Sequence, residues 1–198
     1  MNIIFDLGEV VVTWRPKEII AMVFPDPAVQ ETVHTRIIQH ADWLDLDRGT
    51  LSREDAIARA TDRTGLPETQ IAHLFRLVPL ALVAIPGTID LLYRLKNRAH
   101  SLYCLSNIQK ASIEHLESEY SFWEVFSGRV ISSRIGLVKP EPEIFFYLLQ
   151  TYQLKIEATI LVDDLDVNLA VAERIGIRTV KFESPVQCEI QLRALQCV

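Results

Sequence analysis

The chain alternates between short apolar runs that end on polar residues and longer segments with helical spacing. The first run, residues 2–5, stops at Asp6 and Gly8, and an apolar run of that length predicts a strand buried on both faces. From Pro16 to about Val83 the pattern turns helical, with no convincing strand. Residues 30–40 carry helical periodicity, Ser52-Arg53-Glu54-Asp55 resembles a capping box, and Gly65 is placed to stop the helix that the box starts. After Gly87 the alternation resumes. Helices are predicted at 87–98, 108–119, 142–152 and 168–174, and strands at 101–105, 129–132, 159–162 and 177–181. Such an order implies βαβ units and a parallel sheet covered on both faces. The helical block after the first strand is then an insertion at a strand's carboxyl end, the edge where open α/β sheets bind ligands.

A length of 198 residues leaves room for one main fold, and 49% hydrophobic with 23% charged residues is the balance of an ordinary globular protein. The net charge is −6 and no block of Lys or Arg occurs, so a nucleic-acid partner is not expected. Residues 77–86 are the longest stretch without strong polarity, but they hold Pro79 and Pro86 and fall short of the roughly 20 apolar residues that cross a bilayer. No membrane partner is expected either. Cys104, Cys188 and Cys197 are an odd number at no metal-ligand spacing, and the start shows no basic leader, which together predict a reduced, cytoplasmic setting. The five histidines lack the spacing of metal ligands and read as structural or surface residues.

The candidate chemistry sits where polar residues end the apolar strands: Asp6, Ser106-Asn107, Lys139-Pro140 and Asp163-Asp164. In a parallel sheet these ends converge on one edge. Carboxylates gathered in a low-dielectric cleft repel unless a divalent cation neutralises them, and an all-oxygen donor set suits Mg²⁺. The Ser106 hydroxyl and the Lys139 ammonium would then hold the free oxygens of an anion that the metal also binds, and phosphate fits that description.

Four ordered segments carry a resemblance: Phe5-Asp6-Leu7-Gly8-Glu9-Val10-Val11, Leu105-Ser106-Asn107, Lys139-Pro140-Glu141-Pro142, and Val162-Asp163-Asp164 with Asn168 beyond. Together they resemble the motifs of the haloacid dehalogenase-like (HAD) hydrolase superfamily. The similarity is greatest to its phosphatase branch with a small helical cap, which includes sugar-phosphate phosphatases and the N-terminal phosphatase domain of soluble epoxide hydrolases. Arg48-Gly49-Thr50-Leu51-Ser52 carries the likeness in the cap. Response-regulator receivers share an acidic pair, a phosphorylated Asp and a Lys-Pro, but with the acidic pair first and the Lys last, the reverse of this chain.

The resemblance implies an α/β fold, a Rossmann-like parallel sheet core at 1–14 and 84–198 with an inserted all-helical cap at 15–83. It also implies a Mg²⁺-dependent phosphomonoester hydrolase of small phosphorylated metabolites, sugar phosphates in the first place. Asp6 would be the nucleophile that forms an aspartyl-phosphate. Asp6, the Gly8 backbone carbonyl and Asp164 would bind the metal, with Asp163 and Asn168 supporting them. Ser106, the backbone around Asn107, and Lys139 would hold the phosphoryl group.

One departure matters: the family usually has a second Asp two residues after the nucleophile, as general acid and base, and this chain has Gly8 there. Loss of such a group typically slows catalysis by ~10² to 10⁴. A good leaving group, such as an anomeric sugar phosphate, would need the acid least. Glu9 is displaced by one residue and expected to face away. Gly8 also keeps open a silent relative that binds a phosphorylated ligand or a protein, and a 2-haloacid dehalogenase is the other alternative. In the cap, Trp43, Asp45 and Arg48 are the candidates to face substrate.

Overall fold

The computed structural model describes residues 1–195, so Cys197 lies outside the described residues. Five parallel strands, β1 (Asn2–Phe5), β2 (Ser101–Ser106), β3 (Phe126–Ile131), β4 (Thr159–Asp163) and β5 (Arg178–Lys181), form one sheet in the order β3-β2-β1-β4-β5. β1 is central, and its residues alternate between two apolar layers. Ile3 and Phe5 pack on one face against α6 (Pro86–Asn97), α7 (Lys110–Glu119) and α11 (Pro185–Ala194). Ile4 packs on the other against α9 (Pro142–Thr151) and α10 (Asp166–Ile175). Period-2 alternation on a sheet covered on both sides is why Ile3, Ile4 and Phe5 are apolar without a break. The α/β parallel sheet expected from the alternation is the observed fold.

Between β1 and α6 come α1 (Pro16–Val23), α2 (Pro27–Val33), a π turn at His34–Ile38, α3 (Ala41–Arg48), α4 (Arg53–Thr64) and α5 (Glu68–Leu80). They enclose an apolar cluster of their own, with Ile20, Phe24, Ile71 and Leu74 fully buried. The Ser52 hydroxyl accepts from the Asp55 amide and Gly65 closes α4 in the left-handed region, as the capping reading requires. α3 ends the same way at Gly49, at φ +81°.

Most element ends lie within one or two residues of expectation, and the larger differences fall at β3 and after β5. β3 spans Phe126–Ile131 rather than 129–132, because Ser127 and Gly128 weaken the strand signal while the Tyr152 hydroxyl pins the edge at the Arg129 amide and carbonyl. Ser132 starts the short helix α8 (Ser132–Ile135) instead of ending the strand. α11 had no counterpart in the sequence reading, although Ser184 and Gln187 form a complete capping box. No described helix is long and apolar enough to cross a membrane.

Candidate active site

The carboxyl ends of β1, β2 and β4 bring Asp6, Ser106, Asp163 and Asp164 to one place, as the strand-end argument requires, whereas Lys139 reaches the same place from the loop between α8 and α9 and not from the strand end expected for it. Lys139 is the hub. Its ammonium, almost fully buried, lies 2.9 Å from an Asp6 oxygen and 2.6 Å from an Asp163 oxygen. Burial works against its charge, but the two carboxylates outweigh burial and hold its pKa above the usual lysine range. The Asn107 side chain sets its backbone, accepting from the Lys139 amide and donating to the Lys139 carbonyl, both at 2.8 Å. Asn107 thus spends its side chain on placing Lys139, and only its main chain is left for a ligand.

Asp163 is fully buried, and its oxygens accept from the Asn168 amide at 2.9 and 3.1 Å and from the Leu165 backbone at 2.9 Å. Asn168 therefore orients Asp163 rather than reaching outward. The Asp6 amide donates to the Val162 carbonyl, which locks the end of β1 to β4. Burial, opposed by Lys139 and reinforced by Asp163 and Asp164, pushes Asp6 up to about 7. Burial and Asp163 push Asp164 up to about 6.

Oxygens of Asp6, Asp163 and Asp164 lie within 4.8 Å of one another. One ammonium against three carboxylates leaves the cluster two positive charges short, a deficit that adds to burial in raising both pKa values. A hard divalent cation with oxygen ligands fits this donor set.

A cavity of about 320 Å³ opens above the cluster, lined by Asp6, Gly8, Ser106, Asn107, Lys139 and Asp164 from below. Its opposite wall comes largely from the helical insertion and the β1 loop: Trp14, Ile38, Trp43, Asp47, Val78 and Leu82. The Trp14 and Trp43 rings stand 5.7 Å apart, and Trp43 leans on Phe75 at 5.6 Å.

Of the three residues of the insertion expected to face substrate, Trp43 lines the cavity whereas Asp45 and Arg48 do not. The Asp45 carbonyl is taken up by the Thr50 and Leu51 amides of the turn after α3. Arg48 turns away to form a bidentate pair with Glu141 at 2.6 and 2.8 Å. Asp47 occupies the place instead, and its carboxyl is pushed up to about 8 by burial and by the Asp6 charge. Helical spacing contains the signal for it: Asp47 lies four residues after Trp43, on the same face, while Asp45 and Arg48 do not. Glu9 sits at a left-handed φ of 54°, and its carboxylate accepts from the Trp14 amide.

The model of the haloacid dehalogenase-like hydrolases matches residues 1–176. The chain belongs to this family. Among curated relatives, the sesquiterpene phosphatase astK of Aspergillus oryzae is 27% identical over 97% of this chain and 94% of its own length. A D-ribitol-5-phosphate phosphatase of Bacteroides thetaiotaomicron is 26% identical over 92% of both chains. A HAD family enzyme of the same bacterium, solved in complex with magnesium and inorganic phosphate, superposes with a TM-score of 0.73 at 21% identity, covering 92% of this chain and 93% of the other. The protein is thus a HAD-like hydrolase with the fold of that family.

Proposed function

We propose that this hydrolase is a Mg²⁺-dependent phosphomonoesterase in which Asp6 attacks phosphorus and carries the phosphoryl group as an aspartyl-phosphate. The observation that carries the reading is the cluster of Asp6, Asp163 and Asp164 around the buried Lys139 at the floor of the cavity. Asp6, Asp164 and the Gly8 carbonyl would hold Mg²⁺, which supplies charge neutralisation for the phosphoryl oxygens. Ser106 and the main chain at Asn107 hold those oxygens from the side of β2. Lys139 and the cation would together favour the ionised form of Asp6 for attack, and Lys139 stabilises the charge that gathers on the phosphoryl group. Asp163, fixed by Asn168, holds Lys139 in place. We read the helical segment, 15–83, as a cap whose inner wall meets the leaving group. A dehalogenase, attacking carbon, would have no use for the excess acidic charge beside Asp6.

The cavity walls favour an apolar leaving group over the sugar expected from the sequence. Hydroxyls of a polyol pressed against Trp14, Ile38, Trp43 and Val78 would lose hydrogen bonds to water, with Asp47 the one side-chain acceptor on that wall to replace them. The relative named as a sesquiterpene phosphatase supports the same reading, a monophosphate of an apolar alcohol such as an isoprenoid.

The test is phosphate release from isoprenoid, simple alkyl and sugar monophosphates, with and without Mg²⁺, in the parent and in Asp6→Asn. Release that needs both Mg²⁺ and Asp6, and is fastest on the isoprenoid substrate, is the expected result. Binding of Mg²⁺ and phosphate without release from any substrate would instead make the protein a silent relative.

A further inference from the structure

With glycine at position 8, the family's usual acid and base is missing, yet an apolar alcohol is a poor leaving group that departs readily only if protonated. The backbone does not demand that glycine. Gly8 has no left-handed φ, and a Cβ built there would meet Trp14 at an ordinary 3.8 Å. A replacement for that acid has to be sought among the other carboxyls of the cavity, and its described residues offer few.

Four acidic residues line the cavity: Asp6, Glu9, Asp47 and Asp164. Asp6 is the nucleophile and Asp164 sits in the carboxylate cluster. Glu9 is held by the Trp14 amide. Asp47 alone has no assigned task, and among the described residues its carboxyl makes no hydrogen bond or ion pair. The residue is only half-buried, so its carboxyl is open to the cavity that it lines.

Its main chain, by contrast, is fixed on both sides. The Ser132 hydroxyl donates to the Asp47 carbonyl while accepting from the Ile108 amide at 2.9 Å, which ties α3 to the loop after β2. The neighbouring Arg48 grips Glu141, two residues after Lys139. Gly49 packs so tightly on α8 that a Cβ would lie 2.5 Å from the Ser133 carbonyl oxygen. Every one of these contacts joins the insertion to the core beside the catalytic loops. They fix the stretch of α3 from which Trp43 and Asp47 line the same cavity as Asp6.

We infer that Asp47 is the acid and base of this reaction, supplied by the insertion in place of a side chain at position 8. In the first half, an Asp6 oxygen forms a bond to phosphorus and the ester P–O bond breaks. The Asp47 carboxyl proton goes to the departing oxygen, giving a neutral alcohol. In the second half, Asp47, now a carboxylate, takes a proton from water as the water oxygen bonds to phosphorus. The bond from phosphorus to Asp6 breaks, inorganic phosphate leaves, and both groups return to their starting states. The raised pKa of Asp47 agrees with a group that carries a proton before the reaction.

The inference rests on the phosphatase reading, and the experiment separates the two. Parent, Asp47→Asn and Gly8→Asp/Asp47→Asn are compared on an alkyl monophosphate and on an activated aryl phosphate, whose phenolate leaves without protonation. For Asp47→Asn, alkyl turnover should fall by ~10² to 10⁴. The aryl phosphate should still give a rapid burst of phenolate, about one per site, followed by slow phosphate release because the water lacks its base. The burst itself shows that the variant is folded with Asp6 in place. Gly8→Asp in the Asp47→Asn background should recover at least about tenfold of the lost alkyl turnover. Unchanged alkyl turnover in Asp47→Asn, or equal slowing of the alkyl reaction and the aryl burst, would overturn the role of Asp47. A parent that releases no phosphate with Mg²⁺ would instead overturn the phosphatase reading itself.

Discussion

Asp6, pushed up to about 7, and Asp164, pushed up to about 6, are held above the ordinary carboxylate value of 3.8 by burial and by each other's neighbourhood. A carboxyl group with a raised pKa binds more protons folded than unfolded, so the metal-free protein loses stability as pH rises from about 4 to about 7. A bound cation favours the ionised form and removes that loss. Added Mg²⁺ should therefore raise the melting temperature clearly at pH 8 and little at pH 5, measured by differential scanning calorimetry. Equal shifts at both pH values would mean that the cation does not bind this cluster. Lys139 belongs to the same balance, and Lys139→Met should abolish activity while leaving Asp163 buried with only neutral partners. Such a loss of a buried partner typically costs ~3–5 kcal/mol, to be read by urea denaturation.

At the scale of elements, the contact between α3 and α8 decides where the cavity wall stands. Gly49 and Gly65 both close helices at left-handed φ, +81° and +70°, but a Cβ meets the Ser133 backbone at Gly49 and nothing within 4 Å at Gly65. Gly65→Ala should cost about 1–2 kcal/mol, from backbone conformation alone. Gly49→Ala should cost more and should also lower activity, since the Ser133 main chain must shift with α3. Equal stability losses in urea denaturation would contradict the docking role of this turn. The same contact explains what the sequence could reveal. Asp6, Ser106, Asp163 and Asp164 were legible because each lies at the end of an apolar strand, and a parallel sheet collects strand ends without further information, whereas Lys139 stood out only through its Lys-Pro motif and is placed by a loop beyond α8. Asp47 was not legible, because its place depends on how an amphipathic helix docks onto a short helix, α8, whose first residue was read as the end of a strand and whose others were left unassigned. β3 was legible only in part, since its first residues are held by pairing with β2 across a register shift that local pattern does not reveal, and α11 was missed although its capping box stood in the sequence.

For the whole molecule, the division of labour is between a sheet edge that handles the phosphoryl group and a helical layer that meets the remainder of the substrate. Trp43, stacked between Trp14 and Phe75, is the natural probe of that second surface. Trp43→Ala should raise KM for an isoprenoid monophosphate by at least about tenfold, roughly 1.4 kcal/mol, and change a small aryl phosphate less. Similar changes for both substrates would place the apolar wall outside substrate recognition. The central claim is the covalent role of Asp6, and it is tested most directly by quenching the enzyme in acid during turnover with Mg²⁺ and mapping its peptides by mass. The account predicts one phosphoryl group on the peptide that contains Asp6, absent when Mg²⁺ is omitted and absent in Asp6→Asn. Turnover with no phosphorylated Asp6, or with the phosphoryl group on another residue, would contradict it.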